Sequence, residues 1–290
     1  MKSISRRNFL ENGMLGLAGC AFSIGLIGRI ASATTSDDSI RFIHVTDTHL
    51  DLGKPKTVTW VEMLVDTINT KFQPVDFVLF GGDNFNNNVP GNSDALKFKE
   101  IVSALNCPWY SVRGNKESTA KPKGDSLNQN DYAQMFFTSG LKVSGRDWKL
   151  EKGKYTLLGI DTTIEQHNNG LYTPETLDFV EKELKTNPDR YYILLNHHPY
   201  WNFWGGTAEK DIHRYVLNNA DEVKKRLFGY PNLKLTLSGH KHLDHVGKSG
   251  RVKVISTLGF VVPQKTKNDH CFRLIEINNG SLTHKVVGIV

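Results

Sequence analysis

Apolar positions along this chain fall into short continuous runs that alternate with segments of helical spacing. Residues 40–45 form an apolar run that ends in Thr46-Asp47-Thr48-His49. Residues 58–70 place Val61, Leu64, Val65 and Ile68 at intervals of three and four, the spacing of one helix face. Residues 77–80 are uninterrupted apolar and lead into Gly81-Gly82-Asp83-Asn84. Residues 95–105 return to helical spacing, and 109–112 are strand-like before Arg113-Gly114-Asn115-Lys116. Strand, helix, strand, helix, strand at these lengths predicts right-handed crossovers and a parallel sheet.

The second half is less regular. Residues 116–130 are polar, contain Pro and Gly, and read as a loop. Two strand-like runs, 148–151 and 154–160, flank Lys152-Gly153 and predict a hairpin. Thr173-Pro174 starts a helix, with Thr as N-cap and Pro at the first helical position. Residues 191–195 form a strand that ends in Asn196-His197-His198-Pro199, and 233–237 another that ends in Ser238-Gly239-His240-Lys241-His242. The tail, 252–256, 272–277 and 283–290, is all strand-like. With no repeats, low-complexity tracts or long Pro/Gly linkers, residues 34–290 read as one domain, entered through a small polar linker at 34–39.

The first 33 residues have a different character. Ser5-Arg6-Arg7-Asn8-Phe9-Leu10 precedes an uncharged run from 13 to 28, followed by Arg29 and Ala31-Ser32-Ala33. A charged start, an apolar middle and a small-residue cleavage site, in that order, describe an export signal. The paired arginines before Phe9-Leu10 resemble a twin-arginine signal, with Glu11 where Lys is common. The run is shorter than the roughly 20 residues that span a bilayer, so no stable membrane span is expected. The mature chain is then periplasmic or secreted, and the translocation machinery is a partner during export. Leu17-Ala18-Gly19-Cys20 resembles a lipobox and leaves open an alternative, a lipid anchor at Cys20. Continued apolar residues from Ala21 to Ile27 favour cleavage after Ala33 instead.

Composition narrows the classes further. Of 290 residues, 39% are apolar and 23% charged, which excludes a disordered, collagenous or coiled-coil chain. Three cysteines exclude a disulfide scaffold. Cys107 and Cys271 lie in apolar strand-like runs, which favours buried thiols over a disulfide between them. The formal net charge is +6, of which Lys2, Arg6, Arg7 and Arg29 against Glu11 account for three, leaving a modest +3 on residues 34–290. No basic cluster with interleaved aromatics appears, so no nucleic-acid polymer is indicated.

Five polar clusters carry the candidate chemistry: Asp47-Thr48-His49, Gly82-Asp83-Asn84, Gly114-Asn115-Lys116-Glu117, Asn196-His197-His198-Pro199 and Gly239-His240-Lys241-His242. Each follows an apolar strand run, and ligands of open α/β sheets gather outside the carboxyl ends of strands. Asp47 and His49, two apart in extended chain, can reach one ion, and His240 and His242 repeat that spacing. Imidazole with carboxylate suits zinc, iron or manganese. Seven such ligands exceed one tetrahedral ion but suit two ions that share a bridging carboxylate and clamp a phosphoryl group.

The order DxH, GD, GN, HH and GHxH resembles the calcineurin-like metallophosphoesterases over about residues 40–245. The segments Phe42-Ile43-His44-Val45-Thr46-Asp47-Thr48-His49-Leu50 and Asn196-His197-His198-Pro199 look nearest the class III cyclic-nucleotide phosphodiesterase-like branch. The resemblance implies a four-layer α/β/β/α sandwich of two mixed sheets, with the metal site at strand C-terminal ends. It implies that Asp47, His49 and His242 hold a first metal, that Asn115, His197 and His240 hold a second, and that Asp83 bridges. The cofactors are then two divalent or trivalent ions (Mn, Fe or Zn). A hydroxide bridging them attacks a small phosphoester, a phosphodiester or a small phosphomonoester. Asn86 stands where the purple acid phosphatases have a Tyr ligand, which argues against an iron–tyrosinate site.

The chain departs from the family at Lys116, where the family's GNH block has a catalytic His. An ammonium stabilises anionic charge well but gives up a proton reluctantly. Loss of a general acid typically costs about 10²–10⁴-fold. An alternative is therefore a metal-binding protein with impaired turnover. His198 could reach the phosphoryl group alongside Lys116, though packing or hydrogen bonding behind His197 is the plainer role. Tyr200, Trp201, Phe203 and Trp204 follow directly, and Trp201 and Trp204 are candidate substrate contacts, with ordinary packing the competing reading. His44 reads as a core histidine, Asp161 as a turn cap, and His167, His213 and His245 as surface residues. No basic pocket beyond the metals is visible in the sequence, which favours a diester or a small monoester.

Overall fold

The computed structural model describes residues 38–119, 127–261 and 270–289. The expected export signal, Cys20 and the expected 1–33 boundary lie outside the described residues. Twelve strands form two mixed sheets among the described residues. The first half supplies β1 (Ser39–Val45), α1 (Pro55–Lys71), β2 (Phe77–Phe80), α2 (Ser93–Val102), β3 (Trp109–Ser111), α3 (Asn115–Ser118) and α4 (Gln129–Phe136). Next come β4 (Lys142–Ser144), β5 (Asp147–Lys152), β6 (Tyr155–Ile160), α5 (Pro174–Thr186), β7 (Tyr191–Asn196), a 3-10 turn at Glu209–Arg214, and α6 (Ala220–Leu227). The chain closes with β8 (Leu233–Ser238), β9 (His245–Ser249), β10 (Val252–Ser256), β11 (Cys271–Asn278) and β12 (Ser281–Gly288).

One sheet runs β12-β11-β1-β2-β3 and the other β4-β5-β6-β7-β8-β10-β9. Strands β1, β2 and β3 are parallel, as are β6, β7, β8 and β10, while β11, β12, β4, β5 and β9 join by antiparallel pairing. The parallel strands are buried on both faces, which is why they read as continuous apolar runs. In β1, Ile43 and Val45 pack under α1 and α2, while Ile40 and Phe42 turn to the other sheet. In β7, Tyr192 and Leu194 pack under α5 and α6, while Ile193 and Leu195 turn inward. Three apolar cores therefore separate four layers, helix, sheet, sheet, helix, as the resemblance implied. Trp148 ties the two sheets together. Its indole N–H donates to the Ser111 carbonyl at 2.8 Å, across a position where Gly159 leaves no room for a side chain. That contact helps fix the spacing between the loops after β3 and after β6.

The residue 116–130 loop predicted from polarity is corrected at both ends. Asn115–Ser118 is a short helix, because the Glu117 carboxylate reaches back to the Gly114 N–H at 2.9 Å and caps it. The second helix begins at Gln129, with the Asn128 side chain accepting from the Asp131 N–H at 3.0 Å. Helix α6 was also illegible: its buried Val223 and Leu227 are too few to show a period. Cys107 and Cys271 are not joined by a disulfide. Among the described residues no helix is long and apolar enough to cross a membrane.

Candidate metal centre

Every predicted ligand lies just beyond the C-terminal end of a parallel strand. Asp47 and His49 follow β1, Asp83 follows β2, Asn115 follows β3, His197 follows β7, and His240 and His242 follow β8. The loops are laced together before any side chain is considered. The Asp47, His49 and Leu50 N–H groups donate to the Gly82, Asp83 and Asn84 carbonyls at 3.0 Å, and the Gly239 N–H donates to the His197 carbonyl at 2.9 Å. Asp47, His49, Asp83, His240 and His242 all have positive φ, between 46° and 66°. Left-handed backbone at a non-glycine residue costs of order 1–3 kcal/mol and persists only where the surroundings enforce it. Gly114 passes so close to Asp83 that a β-carbon would lie 2.3 Å from the Asp83 nitrogen, so only glycine fits there.

Two groups of donor atoms result. Asp47, His49 and His242 form one, and Asp83, His197 and His240 the other, each with its donor atoms within 4.8 Å of one another. Asn115 joins the second through its carbonyl oxygen, 3.2 Å from His197 Nε2. Asp83 faces both groups: Oδ1 is 3.4 Å from His197 Nε2 and Oδ2 is 3.9 Å from His49 Nε2. A carboxylate with one oxygen toward each group is placed to bridge.

The imidazole orientations test whether metal ions fit. His49 has its Nδ1 on Asn86 Oδ1 at 2.8 Å, His197 its Nδ1 on the Gly81 carbonyl at 2.8 Å, and His240 its Nε2 on the Arg214 carbonyl at 2.8 Å. Each such bond holds the proton on the outer nitrogen and turns the other inward as a lone pair. The inward nitrogens then meet in pairs, His49 Nε2 with His242 Nε2 and His197 Nε2 with His240 Nδ1, both at 3.1 Å. Two lone pairs at that distance repel unless a proton or a cation lies between them. Asp47 Oδ1 is buried without a hydrogen bond, 3.1 Å from His242 Nε2 but off the geometry of one. Oriented imidazoles and an orphaned carboxylate oxygen are the donor set of a metal site, and these residues fit two ions.

The electrostatics agree. Burial opposes the ionised form of Asp83, yet His197 beside it holds its carboxyl well below the usual range. Burial likewise opposes a charge on His197, but Asp83 more than compensates and raises it to about 9. Burial and then the charge of His197 push His240 down to about 4. Burial opposes a charge on His242 too, but Asp47 beside it raises its pKa, so both carboxylates draw protons onto neighbouring imidazoles. Metal ions would displace those protons on binding.

The candidate catalytic and substrate residues divide. Lys116 lines the cleft over the centre, a cavity of about 420 Å³, and its backbone N–H donates to Asp83 Oδ1 at 2.7 Å. His198 is buried, with Nδ1 on the Thr162 hydroxyl at 2.8 Å and Nε2 on the Asn168 carbonyl at 3.0 Å. Neither nitrogen is left for a phosphoryl group, so His198 supports His240, whose ring centroid is 4.5 Å away. Trp201 and Trp204 do not line the cleft; both pack against the core under α5 and α6. The aromatic residue that lines it is Tyr215, which carries the Lys241 ammonium 3.8 Å from its ring centre. His44 is a core histidine, kept neutral as burial pushes it down to about 3. Asp161 caps its turn through the Thr163 N–H at 2.9 Å and pairs with Arg113.

Three residues near the ligands were not assigned these roles from the sequence. Asn86 orients His49. Asn168, from the loop after β6, holds both His198 and the Asn115 side-chain amide, the latter at 3.2 Å. Glu117, fully buried, accepts the N–H groups of Asp83, Asn84 and Gly114 at 3.1, 2.6 and 2.9 Å, stapling two ligand loops together. Burial and then the Asp83 charge push Glu117 up to about 8, against the pull of those N–H donors. Only the Asn-Lys-Glu helix start hinted at it.

Comparison with known proteins bears on the same residues. The family model for calcineurin-like phosphoesterases matches residues 40–244. A protein of Arcobacter nitrofigilis named "probable glycerophosphodiester phosphodiesterase" is 26% identical over 69% of this chain and 71% of its own length. A 3′,5′-cyclic adenosine monophosphate phosphodiesterase of Vibrio vulnificus is 24% identical over 82% of this chain and 83% of its own. Among solved structures, a dimetal phosphatase from Danio rerio superposes with a TM-score of 0.68 at 12% identity, covering 87% of this chain and 96% of that one, a likeness of fold.

Proposed function

Because the chain belongs to the calcineurin-like phosphoesterase family and is a metal-dependent phosphoester hydrolase, we propose that it hydrolyses small phosphodiesters at this centre, outside the cytoplasm. The observation that carries the reading is the pair of three-residue donor groups with Asp83 between them. The names of the curated relatives support a diester substrate.

Two bound cations would supply Lewis-acid contact to the phosphoryl oxygens and a water-derived nucleophile at neutral pH. Asp47, His49 and His242 would hold one, Asn115, His197 and His240 the other, and Asp83 both. The protein's own part is positioning. Asn86, the Gly81 carbonyl and the Arg214 carbonyl fix the histidine tautomers. Lys116 lines the same cleft, where its ammonium can steady negative charge building on the phosphoryl oxygens.

The test is metal content beside a phosphoester panel. Protein from its own host should carry close to two ions per chain and hydrolyse bis-p-nitrophenyl phosphate when supplied with manganese. Two ions with no turnover on a broad panel would favour the impaired binding protein instead. In the same panel, Lys116→His should restore a proton donor and raise turnover on alkyl diesters more than on aryl ones. The gain should be on the order of tenfold. Equal or lower rates on both would refute that role.

The extracytoplasmic part rests on Arg6-Arg7 and the apolar run behind them. Changing both arginines to lysine should leave unprocessed protein in the cytoplasmic fraction. Unchanged fractionation would remove the twin-arginine route from the proposal.

A further inference from the structure

Among the described residues, three basic residues from separate parts of the chain line the metal cleft. Lys54 comes from the turn before α1, Lys116 from α3 and Arg214 from the end of the 3-10 turn at Glu209–Arg214. In the sequence they are far apart and form no basic cluster; the fold gathers them. Among the described residues that line the cleft Asp83 is the one acidic group, and it is committed to the metal groups. Asp51, the carboxylate nearest Lys54, is buried and already accepts the Asn86 and Asn88 amides at 3.2 and 2.8 Å. The Lys54 ammonium stands 3.7 Å from it and is 70% exposed, a screened pairing that leaves most of its charge available. Neither Lys116 nor Arg214 is paired with a carboxylate among the described residues. Asp47 and Asp83 already offset much of the charge of two cations, and one phosphodiester group with its nucleophile offsets the rest. Lys54 and Arg214 are then surplus to the reacting phosphoryl group.

We infer that the cleft selects phosphoesters bearing a second anionic group, a phosphate or carboxylate away from the scissile bond, which Lys54 and Arg214 hold. This rests on the phosphodiesterase reading above and corrects the expectation that the site lacks basic residues beyond its metals. An arginine and a lysine lining one cleft attract such a group at a distance and can bind it by charge-assisted hydrogen bonds. Tyr215, its face covered by Lys241, forms part of the same wall beside Arg214.

The test compares ethyl p-nitrophenyl phosphate with 2-phosphonoethyl p-nitrophenyl phosphate, which share a leaving group and differ by one anion. The metal-loaded protein should show kcat/KM roughly tenfold higher on the phosphonoethyl ester, mainly through KM, a ratio matching one charge-assisted contact. The ratio should shrink in Lys54→Gln and in Arg214→Gln and approach unity in the double variant. Calorimetric titration with propane-1,3-diphosphonate against propylphosphonate should show the same preference without turnover. Equal kcat/KM on the two esters in the parent protein, or a preference that survives the double variant, would overturn the inference. If neither ester is hydrolysed, the phosphodiesterase reading fails, and the calorimetric ratio still decides whether the anion site exists.

Discussion

Replacing Asp83 with alanine is expected to lower hydrolysis by at least about a thousandfold and to reduce the metal content below two ions per chain. Its two oxygens are the link between the donor groups, one toward His197 and one toward His49. The side chain is almost fully buried, so water cannot replace it with the same geometry. Removing a shared ligand forfeits several kcal/mol of transition-state stabilisation. At about 1.4 kcal/mol per tenfold that is a loss on the order of 10³. Elemental analysis and steady-state rates on the same preparation check it. Two ions still bound with activity within tenfold of the parent would mean that Asp83 does not bridge and that the two-ion centre is misassigned.

The second large effect is expected at Glu117, which touches no substrate. Glu117→Ala would strand three buried N–H donors in the Asp83 and Asn115 loops. An unsatisfied buried donor costs about 1–3 kcal/mol, so a loss of roughly 3–5 kcal/mol is expected once relaxation is allowed for. At about 2–4 °C per kcal/mol for a chain of this size, the melting temperature should fall by on the order of 10 °C in excess chelator. Metal affinity should drop about 10–100-fold, as it does when a residue that orients ligands is removed. Glu117→Gln keeps one acceptor oxygen and should lie between the two. That graded series separates loop stapling from general damage to the core. A Glu117→Ala protein that melts within about 2 °C of the parent and binds metal equally well would end the stapling role.

Much of the fold was legible because its central strands are buried on both faces. Residues 40–45, 77–80, 191–195 and 233–237 announced themselves as apolar runs, and helices α1 and α5 by period and N-cap. Short amphipathic pieces were not legible. Helix α4 shows only Tyr132 and Phe136 buried, and β4 is exposed along its length. In the loop after β6 the sequence offered Asp161, a turn cap, whereas the residues this loop sends to the centre are Thr162 and Asn168.

What the chain alone determined was the set and order of the ligand clusters. Each is a local word at the end of a strand, and strand burial is itself a local signal. The tertiary structure decided the rest: the left-handed backbone at five ligands, the inward turn of His198, the Glu117 staple, Tyr215 in place of the tryptophans, and the three cations over the cleft. These depend on contacts such as His197 with Gly81, 116 positions apart, and Asp47 with His240, 193 apart. Periodicity reports which face of an element is buried; it carries no record of which distant backbone group will stand opposite once two sheets have packed.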